Sequence, residues 1–123
     1  MNVTLWIAAS VLAAAFLAAG LMKATQPKAK LADTMGWVED FSGGTVRLIG
    51  LVEILGAVGL ILPAAVGVAP VLTPLAAAGL AVAMVLAAIV HLRRGETAET
   101  APALVLLVLT AVLAILRFGP YSF

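Results

Sequence analysis

Long apolar runs, broken by short polar stretches, make up most of the chain. Four runs, roughly 3–22, 46–66, 71–91 and 101–118, approach or reach the ~20 helical residues that cross a bilayer core of ~30 Å. The last is the shortest, and an earlier start would suit it. Residues 23–45 form a long polar break. PAAVGVAP, 63–70, is an uncharged turn bracketed by two prolines, and LRRGETAET, 92–100, is a charged turn whose Gly95 suits a helix C-terminus. Short connections make neighbouring helices antiparallel. The pattern therefore predicts a single domain over 1–123, an all-α integral membrane four-helix bundle running up-down-up-down. Within 23–45 the partial apolar stripe Leu31, Met35, Val38 and Phe41 predicts a short interfacial helix, with Trp37 at headgroup depth. The first run ends in small residues, as a signal peptide does. It lacks a basic leading region and is too long for the apolar part of a signal, so it reads as a retained helix.

Composition agrees with the pattern. The 123 residues are 64% hydrophobic and 11% charged, with mean hydropathy +1.21, against roughly 45–50% and about 25% in soluble domains. No basic run with interleaved aromatics exists, so nucleic acid is set aside. The absence of cysteine excludes dithiol chemistry, disulfides, thiolate metal sites and c-type haem attachment. A single histidine, His91, argues against a dedicated transition-metal or haem site and leaves carboxylates able to hold a hard cation only weakly. The halves do not correspond in charge, so no internal repeat is read.

Charge sets an expected orientation. Lys23, Lys28, Lys30, Arg47, Arg93 and Arg94 flank the first and third connections, against Arg117 alone at the other face. The positive-inside rule puts loops 23–45 and 92–100 in the cytoplasm and both termini outside. Trp6, Phe118, Tyr121 and Phe123 would then form the outer aromatic belt.

One residue sits badly in this scheme. Glu53 lies inside the second apolar run, roughly 10 Å below the interface at 1.5 Å per helical residue. A carboxylate there must be paired, neutralised or used. The topology gathers Lys23, Arg47, Glu53 and His91 in one slab of the bundle. At 100° per residue, Gly50, Glu53, Ile54 and Ala57 share a helix face. Arg47 is six residues from Glu53 and does not face it as an i,i+4 neighbour would. A seam of small residues on the first span, Ala9, Ala13, Phe16 and Gly20, ends in Lys23, which makes Lys23 the better partner and Arg47 the runner-up. On the third span Ala77, Met84, Ala88 and His91 line one stripe. Two readings stand for the cluster: a paired or protonated Glu53 that fixes helix packing, or a site for a ligand or a proton. Lys23 and Arg47 also read as interface anchors, His91 as a helix-end residue favoured by the dipole, Met84 as core, and Gly20, Gly50 and Ala57 as packing positions.

AGLMKATQP at 19–27, RLIGLVEILGAVGLILP at 47–63, LTPLAAAGLAVAMVLAAIVHLRRGE at 72–96 and RFG at 117–119 together resemble the DoxX-like family of small four-helix membrane proteins. The stretch G-x-x-E-x-x-G-A-x-G-L-x-L-P is its most specific part. The resemblance implies a protein of a bacterial plasma membrane and places the family's polar motif positions on Lys23, Arg47, Glu53 and His91. It also implies the functions linked to the family: membrane subunits of thiosulfate and quinone oxidation, redox-stress complexes and, in animals, assembly of membrane receptors. A shape-related group of quinone-reducing enzymes works with paired cysteines, and that chemistry does not transfer to this chain.

Two functional expectations follow. One is a non-enzymatic membrane module that binds a lipophilic molecule, a lipid or quinone for example, or a membrane-protein partner such as a second copy of the chain. The other is the membrane subunit of a quinone-linked redox complex, whose electron-transfer cofactor a partner would carry.

Overall fold

The computed structural model describes residues 2–32 and 35–122. Phe123, expected in the aromatic belt, and the side chain of Lys28, counted in the charge asymmetry, lie outside the described residues. Four long helices form the bundle: α1 (Asn2–Thr25), α3 (Gly43–Val66), α4 (Leu72–Arg93) and α5 (Thr97–Phe118), with a short turn of helix α2 (Lys28–Leu31) and a 3₁₀ turn (Gly36–Asp40) between α1 and α3. No strand occurs among the described residues. α1 packs most extensively on α3 and α4 on α5; α3 joins the two pairs, and a smaller α1–α5 contact closes the ring. Leu12 and Phe16 of α1, Leu60 of α3, Leu80 and Met84 of α4 and Leu113 of α5 meet in the common core. Outside that core the bundle remains apolar: Leu55, in the middle of α3, is 71% exposed. Exposed Val, Leu and Ile recur along all four long helices, a continuous apolar surface that water-soluble folds rarely show and that lipid solvates without cost. The protein is an integral membrane protein, with four spans among the described residues.

Element boundaries have local causes. The Ser42 side chain accepts the Thr45 backbone N–H and caps α3. That starts the helix three residues before the apolar run does. At the far end, Pro63 does not stop α3, which continues to Val66 and turns at Gly67 with φ 70°. A proline lacks the N–H that would bond the carbonyl four residues back. Here that carbonyl belongs to Gly59, and the buried Thr73 hydroxyl of α4 donates to it at 3.0 Å. A threonine on the neighbouring helix thus supplies the bond that Pro63 removes, so the expected turn at 63–70 shrinks to its second half. α5 begins at Thr97, earlier than its apolar run, and carries Pro102 within it.

The connection 23–45 departs furthest from expectation. Instead of one interfacial helix it forms two short turns folded onto the bundle end. Leu31 and Val38 are buried against Val46 of α3, with Met35, Trp37 and Phe41 packed around them. The apolar stripe read from the sequence faces the protein because Val46 offers it a partner there.

Candidate functional site

The first half of the site is set by two glycines. A Cβ on Gly50 would lie 2.7 Å from both the Ala24 nitrogen and the Gly20 oxygen, and one on Gly20 would lie 2.7 Å from the Gly50 oxygen. Backbone meets backbone at this crossing, which only glycine permits. One turn further on each helix stand Lys23 and Glu53. Lys23 Nζ donates to Glu53 Oε1 at 2.5 Å, and the Glu53 residue is 2% exposed. The ammonium also lies 5.5 Å from the centre of the Trp37 ring, within cation–π range. Trp37 is held there by the small core of Leu31, Val38 and Val46 and by edge contact with Phe41, ring centres 5.7 Å apart. The carboxylate inside the apolar run is therefore paired, and its partner comes from α1.

The second half is built by the turn after α4. Gly95 takes φ 71°, a left-handed conformation natural to glycine. The Gly95 N–H returns to the Leu92 carbonyl and the Glu96 N–H to the His91 carbonyl at 2.9 Å, the pair of bonds that ends many helices at a glycine. This reversal brings the Glu96 side chain back along α4. His91 Nδ1 lies 3.0 Å from Glu96 Oε1, and Arg94 Nε donates to the same oxygen at 3.1 Å. The hydrogen bond with His91, then the Arg94 charge and hydrogen bond, hold the Glu96 carboxyl below its ordinary range against an opposing desolvation.

Between the two halves lies a cavity of about 250 Å³ lined by Lys23, Met35, Gly36, Trp37, His91, Glu96 and Pro102. Gly36 brings the connecting segment close to the α4–α5 turn: a Cβ there would sit 3.2 Å from an Arg94 guanidinium nitrogen. Of the four polar residues singled out in the sequence, Lys23 and His91 share this wall. Glu53 stands behind Lys23 and does not line it. Arg47 is exposed on α3 and is neither the partner of Glu53 nor a wall residue. Gly20 and Gly50 form the close crossing, and Ala57 and Met84 are buried in the common core. Trp37 was read only as a residue at headgroup depth and Arg94 only toward orientation, and Glu96 was not singled out. Glu96 had a legible signal, since a residue following a helix-ending glycine folds back toward the last turn.

A second buried charge occupies the opposite end. Arg117, 3% exposed, donates from Nη1 to Asn2 Oδ1 at 2.6 Å and to the Tyr121 carbonyl at 3.0 Å, with Trp6 stacked 5.9 Å away. It ties the start of α1 to the end of α5. In the sequence Arg117 counted only toward orientation and Trp6 only toward the belt. Phe118 and Tyr121 are exposed, as belt residues would be.

Comparison with curated proteins and with solved structures returns no match. A sequence model of the DoxX-like family matches residues 7–113, a stretch that runs from the first turns of α1 through most of α5 and includes every wall residue of the cavity. The chain belongs to the DoxX-like family.

Proposed function

We propose that the protein is a non-enzymatic membrane module that holds a lipophilic molecule by its polar head group. The cavity is the observation that carries this reading. It sits at the end of a lipid-embedded bundle, and Lys23 and His91 reach its wall from α1 and α4 beside the apolar Met35, Trp37 and Pro102. A few hydrogen-bonding groups placed in a mainly apolar concavity suit an amphiphile's head. Glu53 serves by anchoring Lys23, while its own carboxylate stays off the wall. Mass spectrometry of molecules that co-purify in mild detergent tests the reading. Pro102→Trp fills the cavity, and its new N–H suits the helix better than proline does. We expect the folded variant to lose the molecule recovered with wild type; equal recovery would remove the cavity from the function. A quinone among the recovered molecules would favour the redox-subunit reading.

For its setting we infer a bacterial plasma membrane with both termini outside, supported by the excess of Lys and Arg at the cavity end. The chain has no cysteine, so Ala98→Cys and Ser122→Cys report cleanly. An impermeant thiol reagent on intact cells should label Ser122→Cys and spare Ala98→Cys. The reverse labelling would invert the bundle.

A further inference from the structure

The wall of the cavity specifies more than polarity. An ionised carboxylate only accepts hydrogen bonds, and Glu96 is held ionised by His91 and Arg94. The proton in the His91–Glu96 contact therefore sits on Nδ1. In the neutral imidazole the other nitrogen, Nε2, then carries a lone pair. Nε2 makes no hydrogen bond within the described residues, and no buried side-chain nitrogen or oxygen among them lacks a partner. Nε2 is consequently accessible, on a ring that lines the cavity. On the α1 side, Lys23 Nζ gives one N–H to Glu53 and keeps two. The wall thus offers an acceptor from one helix and donors from another. Its charges already have opposite partners, Lys23 with Glu53 and Glu96 with Arg94. An ionic head group would add a charge that this set does not balance, and it would be desolvated to do so.

Taking the cavity as the head-group site proposed above, we infer that it selects uncharged, hydroxyl-bearing amphiphiles. The ligand O–H donates to His91 Nε2, and a ligand oxygen accepts from Lys23 Nζ. Carboxylate and ammonium amphiphiles bind less well. Glu96 is a positioning residue: it fixes the His91 tautomer and so decides which hydrogen-bonding sense the ring presents.

Three probes of one chain length separate these demands: 1-dodecanol, dodecyl methyl ether, which accepts but cannot donate, and dodecanoate. The chain has two tryptophans, so Trp6→Phe leaves Trp37 on the cavity wall as the reporter. Each probe is titrated by mole fraction into detergent micelles holding the full chain, at mildly alkaline pH where imidazoles are neutral. Trp37 emission gives the apparent affinity. One hydrogen bond predicts about five- to tenfold tighter binding of the alcohol than of the ether, with dodecanoate weaker than the alcohol. His91→Phe should abolish the alcohol-over-ether preference. His91→Gln, whose amide oxygen can accept, should restore part of it. Glu96→Gln should reduce the preference, because a neutral amide no longer dictates the tautomer. Tighter binding of dodecanoate, or equal binding of alcohol and ether by wild type, would overturn the head-group assignment while leaving the cavity as a site. No Trp37 response to any probe would overturn both that assignment and the function proposed for the cavity.

Discussion

At one end of the bundle Arg117 is enclosed by Asn2, Trp6 and the Tyr121 carbonyl and is 3% exposed. At the other, Lys23 is held by Glu53 and Trp37 yet still reaches the wall of a cavity that His91 and Glu96 complete. Both ends place a cation within the protein, and both use an aromatic ring and an oxygen partner to do so. They differ in what remains. The Arg117 end ties the start of α1 to the end of α5 and keeps the guanidinium buried. The Lys23 end brings together three separate stretches of chain around space, because Gly95 reverses the chain after α4 and Gly36 lets the connecting segment lie close to Arg94. A charge inside a membrane protein marks a functional candidate, and here the open geometry around it, more than its burial, separates the candidate site from the structural tie.

The largest test of this contrast removes Lys23. Lys23→Met leaves the Glu53 carboxylate buried without its cation, and breaking one side of such a pair costs about 3–5 kcal/mol. Thermal unfolding in detergent should show that loss. Adding Glu53→Leu removes the orphaned charge, and the double variant should recover much of it, so the two substitutions couple strongly. Additive losses would mean that the pair contributes little and that the two ends differ less than their geometry suggests.

The four spans were legible because runs of about 20 apolar residues leave few alternatives, and the charged turn was legible through Gly95. The pairing of Lys23 with Glu53 could be read because helical angle and a small-residue seam ending in Lys23 both converge on it. Arg47 shows the limit of that reasoning. It belongs to the same slab as Glu53, but its position on α3 turns it outward, and α1 supplies the nearer cation. In the connecting segment, short helical turns were legible but the partner of their apolar stripe was not. That stripe is equally suited to a membrane surface and to the bundle end, and only the tertiary position of Val46 decides between them. Pro63 likewise reads as a helix stop in one dimension, whereas Thr73, on another helix, makes it tolerable.

A smaller effect is expected at the Arg117 end. Arg117→Met keeps much of the side-chain stem but loses the donors to Asn2 and Tyr121. Asn2 and Tyr121 are exposed, so alternative partners can replace what Arg117 gave them. The loss should be about 1–2 kcal/mol, the scale of one or two hydrogen bonds, and below that of Lys23→Met. In the Trp6→Phe background, Trp37 emission and dodecanol affinity should not change. A loss matching that of Lys23→Met would erase the energetic difference between the ends. A shift in Trp37 emission would show that the two ends are coupled through the bundle.

The smallest effect is a pH dependence confined to the cavity end. The His91 hydrogen bond and Arg94 lower the Glu96 pKa from its ordinary value near 4.5. A carboxyl whose folded-state pKa lies below its unfolded value stabilises the fold fully above the unfolded value. That contribution fades as pH falls toward and through the lowered one. Wild type should therefore exceed Glu96→Gln in thermal stability by a small margin above the carboxylate range, and the margin should shrink on acidification below pH 4.5. Both proteins are melted in the same detergent across a pH series, so changes common to them cancel in the difference. A margin that grew on acidification below pH 4.5 would mean that Glu96 is destabilised as an anion, which would undo its assignment as the fixed acceptor that orients His91.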